Sequence, residues 1–265
     1  MKLMKEKNLQ ETFVWDRTQY NEYNTVLAGF QVKSCLENSR PGSLLDLACG
    51  DGTLTEIFSK HFSEVVGVDA SGTHLDLAKQ KLPNSEFHEC LIEDFETNER
   101  FDTVLLLMIL EHVNDPIALI KHAAKFLKND GVLIIHVPNE EAINRDIAVK
   151  MGSLKELGEL TPYDLEIVGH RRSYSIDSLN DDVKKAGLHL EKNGGIFYKM
   201  LSTAQMDWFL KNGLWDSGEF GWGRVGPNEE GKDWKKEFCE ACYEIGKERP
   251  RDCNVIYACV KKNEL

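Results

Sequence analysis

Short apolar runs alternate with segments whose apolar residues recur every three or four positions, and this alternation limits the fold more than any other feature. SLLDLA (43–48), EVVGVD (64–69), SEFHEC (85–90), FDTVLLLM (101–108) and GVLIIHVP (131–138) read as successive strands. Helical spacing separates several of them. Leu54, Ile57, Phe58 and Phe62 share one face, and Leu75, Ala78 and Leu82 share another, closed by Pro83. The next helix has Asp115 as its cap, Pro116 in its first turn, Ile117, Ile120, Ala124 and Leu127 on one face, and Gly131 beyond its end. FDTVLLLM is apolar enough to lie mid-sheet, covered on both sides.

A polar, less regular stretch follows to about residue 174, then a helix with Leu179, Val183 and Ala186 that ends at Gly187. LHLEKNGGIFYK (188–199) and NVIYACVK (254–261) complete seven strands. The expected class is α/β, a mostly parallel sheet with helices on both faces. The connection between the last two strands holds Trp208, Trp215, Trp222 and Trp234. A loop of that length without structure of its own is rare in a compact domain, so a helical insertion is expected there. The divisions are residues 1–40 as an N-terminal helical segment, 41–200 with 251–265 as the sheet domain, and 201–250 as a helical cap or an interface to a second copy. Trp15, Arg17, Tyr20 and Tyr23 are candidates for a lid over the ligand.

Composition removes several functional classes. The longest apolar run, TVLLLMIL, has eight residues, far short of the ~20 needed to cross a bilayer. The polar start MKLMKEKNLQ carries no signal-peptide core. A net charge of −12 and a pI of 5.2 argue against a nucleic-acid or anionic-membrane surface. Seven scattered cysteines suit a reducing compartment. Cys239 and Cys242 form a C-x-x-C with no second pair at zinc-finger spacing, and read as small residues on one helical face. A cytoplasmic protein acting on a small molecule is expected.

LLDLACGDG (44–52) is the stretch closest to a ligand site, a strand running into a tight turn of small residues at the sheet edge where open α/β folds bind ligands. Gly50 and Gly52 let the backbone approach a ligand, and the helix that follows offers unpaired N–H groups. A dinucleotide would ask for G-x-G-x-x-G, but Thr55 stands at the third glycine. Asp46 and Asp51 flank the turn and suit a cationic ligand or an amino group. Asp69, ending the second strand, is placed to accept hydrogen bonds from both hydroxyls of a ribose.

With these residues in place, the sequence resembles the class I S-adenosylmethionine-dependent methyltransferases, small-molecule enzymes near the ubiquinone-biosynthesis O-methyltransferases. Their first motif, an acid followed by G-x-G-x-G, is matched by Asp46, Gly50 and Gly52, with Ala48 in place of the first glycine. LIEDF (91–95), FDTVLLLMILEHVNDP and GVLIIHVPN resemble later motifs in order. The resemblance implies a Rossmann-like fold that holds S-adenosyl-L-methionine. It implies Asp46, Ala48, Gly50, Asp51 and Gly52 at the turn, Asp69 and Ala70 at the ribose, Ile92 with Glu93 at the adenine, and Met108 beside the cofactor.

Methyl transfer from a sulfonium is an in-line displacement in which alignment dominates, and a hydroxyl acceptor also needs a base. His112 and His136, at the ends of the fourth and fifth strands, are the candidates. Some relatives carry a Glu-x-x-Glu-His run at the fourth motif that binds a divalent metal. Met108 replaces its first acid here, and no metal is assigned. His170, Arg171 and Arg172 form a basic island suited to an anionic or sugar-like acceptor. The expected reaction is O-methylation. An N-methyltransferase, an NAD-dependent dehydrogenase or epimerase, and a silent cofactor-binding partner are the alternatives.

Overall fold

The structure, a computed structural model, describes residues 19–215 and 233–263. Its seven-stranded sheet has β1 (Ser43–Leu47), β2 (Glu64–Asp69), β3 (Glu86–Glu89), β4 (Phe101–Leu107), β5 (Leu127–Pro138), β6 (His189–Tyr198) and β7 (Cys253–Lys261). The order across the sheet is β3-β2-β1-β4-β5-β7-β6. β1 to β5 pair in parallel, while β7 runs antiparallel between β5 and β6. β6 therefore points the same way as β5, and Tyr198 emerges at the carboxyl edge with Pro138. The strand order reverses at β1/β4, so the turn after β1 lies at the switch point where such sheets bind ligands.

Alternate residues of the buried strands face two separate cores. Leu45, Leu47, Leu106 and Ile135 pack with α4 (Pro116–Ala124) and α6 (Ile176–Lys185). Leu44, Leu105, Val132 and Ile134 pack with α1 (Asn21–Asn38), α2 (Thr53–Phe58) and two helices of the insertion, α7 (Thr203–Asn212) and α8 (Trp234–Glu248). α3 (Gly72–Lys81) follows β2, with Leu75 and Ala78 buried. Asp115 caps α4 as expected, its carboxylate accepting the Ala118 N–H at 2.9 Å.

Several boundaries differ from the sequence reading. α4 stops at Ala124, and Leu127 opens β5 because the Phe126 carbonyl takes the Phe101 N–H at 2.7 Å and converts helical spacing into strand pairing. Ile57 is exposed; α2 turns inward on Thr55 and Phe58. The polar stretch after β5 holds α5 (Ile143–Lys150) and a wide helical turn at Tyr163–Ile167, closed by Val168 N–H to the Tyr163 carbonyl.

The described part of the insertion packs on α1 and the sheet. Phe30 stacks on Tyr243 at 4.9 Å, and Trp215 sits against Phe209 and Phe238. Trp208 is exposed, and Cys239 and Cys242 are buried on α8. Tyr23 is a core residue against Phe197 rather than part of a lid. Trp15, Arg17 and Trp222 lie outside the described residues. Among the described residues no helix is long and apolar enough to cross a membrane.

Candidate active site

The turn after β1 is shaped by backbone geometry. Ala48, Gly50 and Gly52 all have positive φ (68°, 56° and 76°), and the N–H groups of Ala48 and Cys49 both donate to the Val68 carbonyl at 2.8 and 3.0 Å. Asp69 completes the wrap: its carboxylate accepts the Gly50 N–H at 2.8 Å and the Ser71 N–H at 2.9 Å. Each carboxylate oxygen keeps a further lone pair, and with its side chain 14% exposed the group can still meet a ribose. Gly52 is required by packing as well as by φ, because a Cβ there would stand 2.9 Å from both Cα and Cβ of Ala78 on α3.

The two flanking acids are occupied by the fold. Asp46 is 3% exposed and accepts a 2.7 Å hydrogen bond from the Thr55 hydroxyl; burial lifts its pKa to about 6 against that bond. Thr55, which breaks the dinucleotide fingerprint, thus anchors the acid of the motif. A buried Thr three residues beyond the second glycine was the signal overlooked in the sequence. Asp51 accepts the Thr53 N–H at 3.2 Å and pairs with Lys81 at 3.2 Å, fastening α2 to α3. Across the edge, Ala70 is half-buried, Ile92 is buried with Glu93 exposed beside it, and Met108 follows β4 with φ +55° and its N–H on the His136 carbonyl.

Beyond β4 the site is built from side chains that meet across the sequence. Glu111, His112 and His170 each present one ligand-type atom, all within 4.8 Å of one another. His112 Nε2 lies 3.9 Å from Glu111 Oε1, and the two imidazoles meet edge-on at 4.9 Å. Glu111 is fully buried, and neither of its carboxylate oxygens has a hydrogen-bond partner. Burial pushes its pKa up to about 8, and burial, with His170 nearby, pushes His112 down to about 4. His112 is therefore neutral at pH 7, and burial favours the uncharged form of Glu111. An orphaned, buried carboxyl facing two imidazoles is a donor set that fits a cation.

Three residues sit differently from the sequence reading. His136 does not reach the site: it is 0% exposed, on the α1 face of the sheet, with Nε2 3.6 Å from the Cys35 thiol, and burial takes its pKa to about 3. It is a core histidine, with no path to an acceptor's proton. Arg171 and Arg172 do not present an anion site. Arg171 donates to the His112 carbonyl at 2.6 Å and Asn114 Oδ1 at 2.7 Å, and Arg172 donates to the carbonyls of Leu110, Val113 and Asn114. The pair clamps the segment after β5 onto the turn after β4, and so delivers His170 to Glu111. Lys199, just past β6 on the same edge, went unnoticed in the sequence. It is 3% exposed, donates to the Thr203 hydroxyl at 3.0 Å, and lies 4.7 Å from the centre of the Tyr23 ring.

The chain is similar to known proteins in both sequence and fold. A methyltransferase-domain family matches residues 20–193, more than half of the chain. The chain belongs to the methyltransferase-domain family. A ubiquinone biosynthesis O-methyltransferase of Rhodopseudomonas palustris (strain TIE-1) is 34% identical over 110 residues, which cover 40% of this chain and 42% of that protein. One from Pelagibacter ubique (strain HTCC1062) is 30% identical over 128 residues, 47% and 53% of the two chains. The matched part is thus roughly half, or less, of these curated relatives' length. The methyltransferase fold extends further. An S-adenosylmethionine-dependent methyltransferase from Clostridium acetobutylicum superposes with a TM-score of 0.53 at 15% identity, covering 91% and 92% of the chains. The N-methyltransferase NodS from Bradyrhizobium japonicum gives 0.51 at 12%, covering 92% and 98%. At such identities the fold is what they share.

Proposed function

We propose that this methyltransferase-family chain transfers a methyl group from S-adenosyl-L-methionine to a hydroxyl of a small acceptor. The cofactor half of the reading rests on the strained turn at Ala48–Gly52 and on Asp69, whose open lone pairs suit a ribose. The curated relatives named above are O-methyltransferases, which favours oxygen as the nucleophile. The observation that carries oxygen over nitrogen is the convergence of Glu111, His112 and His170 beyond β4. A neutral amine needs no help losing a proton before attack, whereas a hydroxyl does.

In this reading the turn and Asp69 fix the cofactor, and the turn after β4 presents the acceptor oxygen in line with the methyl and sulfur. Alignment of that kind supplies roughly 7–11 kcal/mol of barrier lowering. The acceptor's proton leaves toward the cluster, of which His112 is the most exposed member. With both arginines engaged on backbone carbonyls, the acceptor class is defined by its hydroxyl rather than by an anion held at that pair.

Calorimetric titration with S-adenosylhomocysteine and, separately, NAD tests the cofactor assignment. Micromolar binding of the first alone is expected, with Asp69→Ala about 10–100-fold weaker, on the order of one or two charge-assisted hydrogen bonds. Binding of NAD alone would restore the dehydrogenase reading. Turnover on a matched panel of hydroxyl and amine acceptors then separates O- from N-methylation, and turnover on amines alone would remove the role given to the cluster.

A further inference from the structure

We propose that Lys199 and Arg145 form a carboxylate-binding subsite, so that the acceptor is a hydroxy acid whose hydroxyl meets the turn after β4 and whose carboxylate meets these two cations. This rests on the methyltransferase reading above and adds a second point of recognition to it. The starting point is a lysine without a counter-charge. Lys199 is 3% exposed at the carboxyl edge, and lysines are almost never fully buried unless paired. Among the described residues no carboxylate pairs with it. α1 gives it the face of the Tyr23 ring at 4.7 Å, α7 gives it the Thr203 hydroxyl at 3.0 Å, and α5 brings a further cation, Arg145. A ring face and one hydroxyl offset only part of the cost of a buried ammonium. An apolar side chain would fill the same place more stably, so the charge points to a ligand.

Arg145 connects the lysine to the acceptor side of the edge. Its charge acts on Lys199 and on His170 alike, so it neighbours both. Its Nε donates to the Leu157 carbonyl at 3.0 Å and its Nη2 to the Glu159 carbonyl, which fixes the guanidinium. Among the described residues Nη1 has no acceptor. Asn144, beside it in the first turn of α5, has a buried Oδ1 that is also without a partner among the described residues. No residue of α5 is buried. The helix covers the edge without belonging to the core, and can shift to admit a ligand without opening that core.

Donor count decides the anion. Lys199 keeps N–H groups beyond the Thr203 bond, and Arg145 keeps those of Nη1. One nitrogen from each serves the two oxygens of a carboxylate. A phosphate would bring a third oxygen and a second charge, at a greater desolvation cost. The carboxylate supplies the counter-charge that the fold leaves out. Since burial and Arg145 hold the Lys199 pKa at about 7, the lysine takes up a proton when an acid binds above that pH. Holding the acceptor at two points also directs its hydroxyl toward the methyl.

The test uses the full chain. Calorimetry first measures S-adenosylhomocysteine, then, with that ligand bound, glycolate, 3-hydroxybutyrate and the three hydroxybenzoates, each against its primary amide. The three hydroxyphenyl phosphates form a separate arm. At least one acid should bind about 30-fold or more tightly than its amide and than any of the phosphates. At pH 9, in buffers of different ionisation heat, its binding should take up about one proton, which a lysine with a purely structural role would not show. Lys199→Met removes a destabilising charge, so it should fold. It should abolish the proton uptake and bring the acid within about threefold of its amide, with S-adenosylhomocysteine affinity unchanged. Arg145→Gln should weaken the acid about 10-fold. Equal binding of acids and amides, tighter binding of a phosphate, failure of every acid to bind, or unchanged acid binding in Lys199→Met each overturns the proposal. Intact S-adenosylhomocysteine binding alongside any of these results would leave the methyltransferase reading standing; its absence from the wild type would remove both.

Discussion

The carboxyl edge of the sheet has two halves built by different means. Over β1 and β2, the turn is held by backbone hydrogen bonds to Val68 and by one carboxylate, Asp69, all within a short stretch of chain. Over β4, β5 and β6, the groups that matter are side chains brought together from distant positions: Glu111 with His170, and Lys199 with Tyr23. The first half stores backbone strain and the second stores buried polarity. Under the function proposed above, a cofactor shared by a whole family would be met by fixed backbone shape, and an acceptor peculiar to one enzyme by side chains that can be exchanged without disturbing that shape.

The largest expected effect tests the cost of the second half. Lys199 is buried at the edge, and burial, with Arg145 nearby, lowers its pKa to about 7. Between there and the unfolded value of about 10.5 the unfolded chain binds more protons, so this residue's contribution to stability rises with pH across that window. Below pH 7 the full penalty of a buried charge applies, on the order of 5 kcal/mol. Lys199→Met should therefore be more stable than the wild type by roughly 4 kcal/mol at pH 6, after loss of the Thr203 bond. The gap should close by pH 10. Urea denaturation at pH 6, 8 and 10 reads this directly. A variant no more stable at pH 6 would mean that the charge is compensated and that the two halves cost the same.

Next in size is a change in the first half. Gly52→Ala forces a methyl against the Cα of Ala78 at 2.9 Å and a side chain into φ +76°. Overpacking and left-handed strain together should cost about 2–4 kcal/mol. Since α3 backbone must move, affinity for S-adenosylhomocysteine should fall as well. Thermal denaturation and calorimetry check the two effects. Normal stability would show that α3 yields easily, and that the turn is less rigid than the cluster across the edge.

How far the sequence announced each half follows from the same difference. The succession of strands, the glycine turn and the position of Asp69 were legible because apolar alternation and small residues at fixed spacing leave local marks. Asp115 and Pro116 marked the start of α4 for the same reason. Three features left no local mark. His170 read as part of a basic island because its partner, Glu111, is close only in space. His136 read as a base because its place at a strand end was visible, while the α1 helix covering it was not. Leu127 fitted the helical period, and only the pairing of Phe101 with Leu127 made it a strand residue.

Ala48 offers the finest test, and the smallest effect. It stands where the family motif has glycine, with φ +68°, a conformation that costs a residue with a Cβ about 1–2 kcal/mol. Glycine would remove that strain, but it would also raise the entropy of the unfolded chain by about 0.4–1 kcal/mol. The methyl also packs partly against the core beside β1, worth up to about 0.8 kcal/mol. These terms nearly cancel, so Ala48→Gly should change stability by less than about 1 kcal/mol and leave S-adenosylhomocysteine affinity within about threefold. A marked gain in either would show that the alanine imposes unrelieved strain on the turn. A marked loss would show that its methyl is part of what holds the turn in shape, and the first half would then depend on a side chain as the second does.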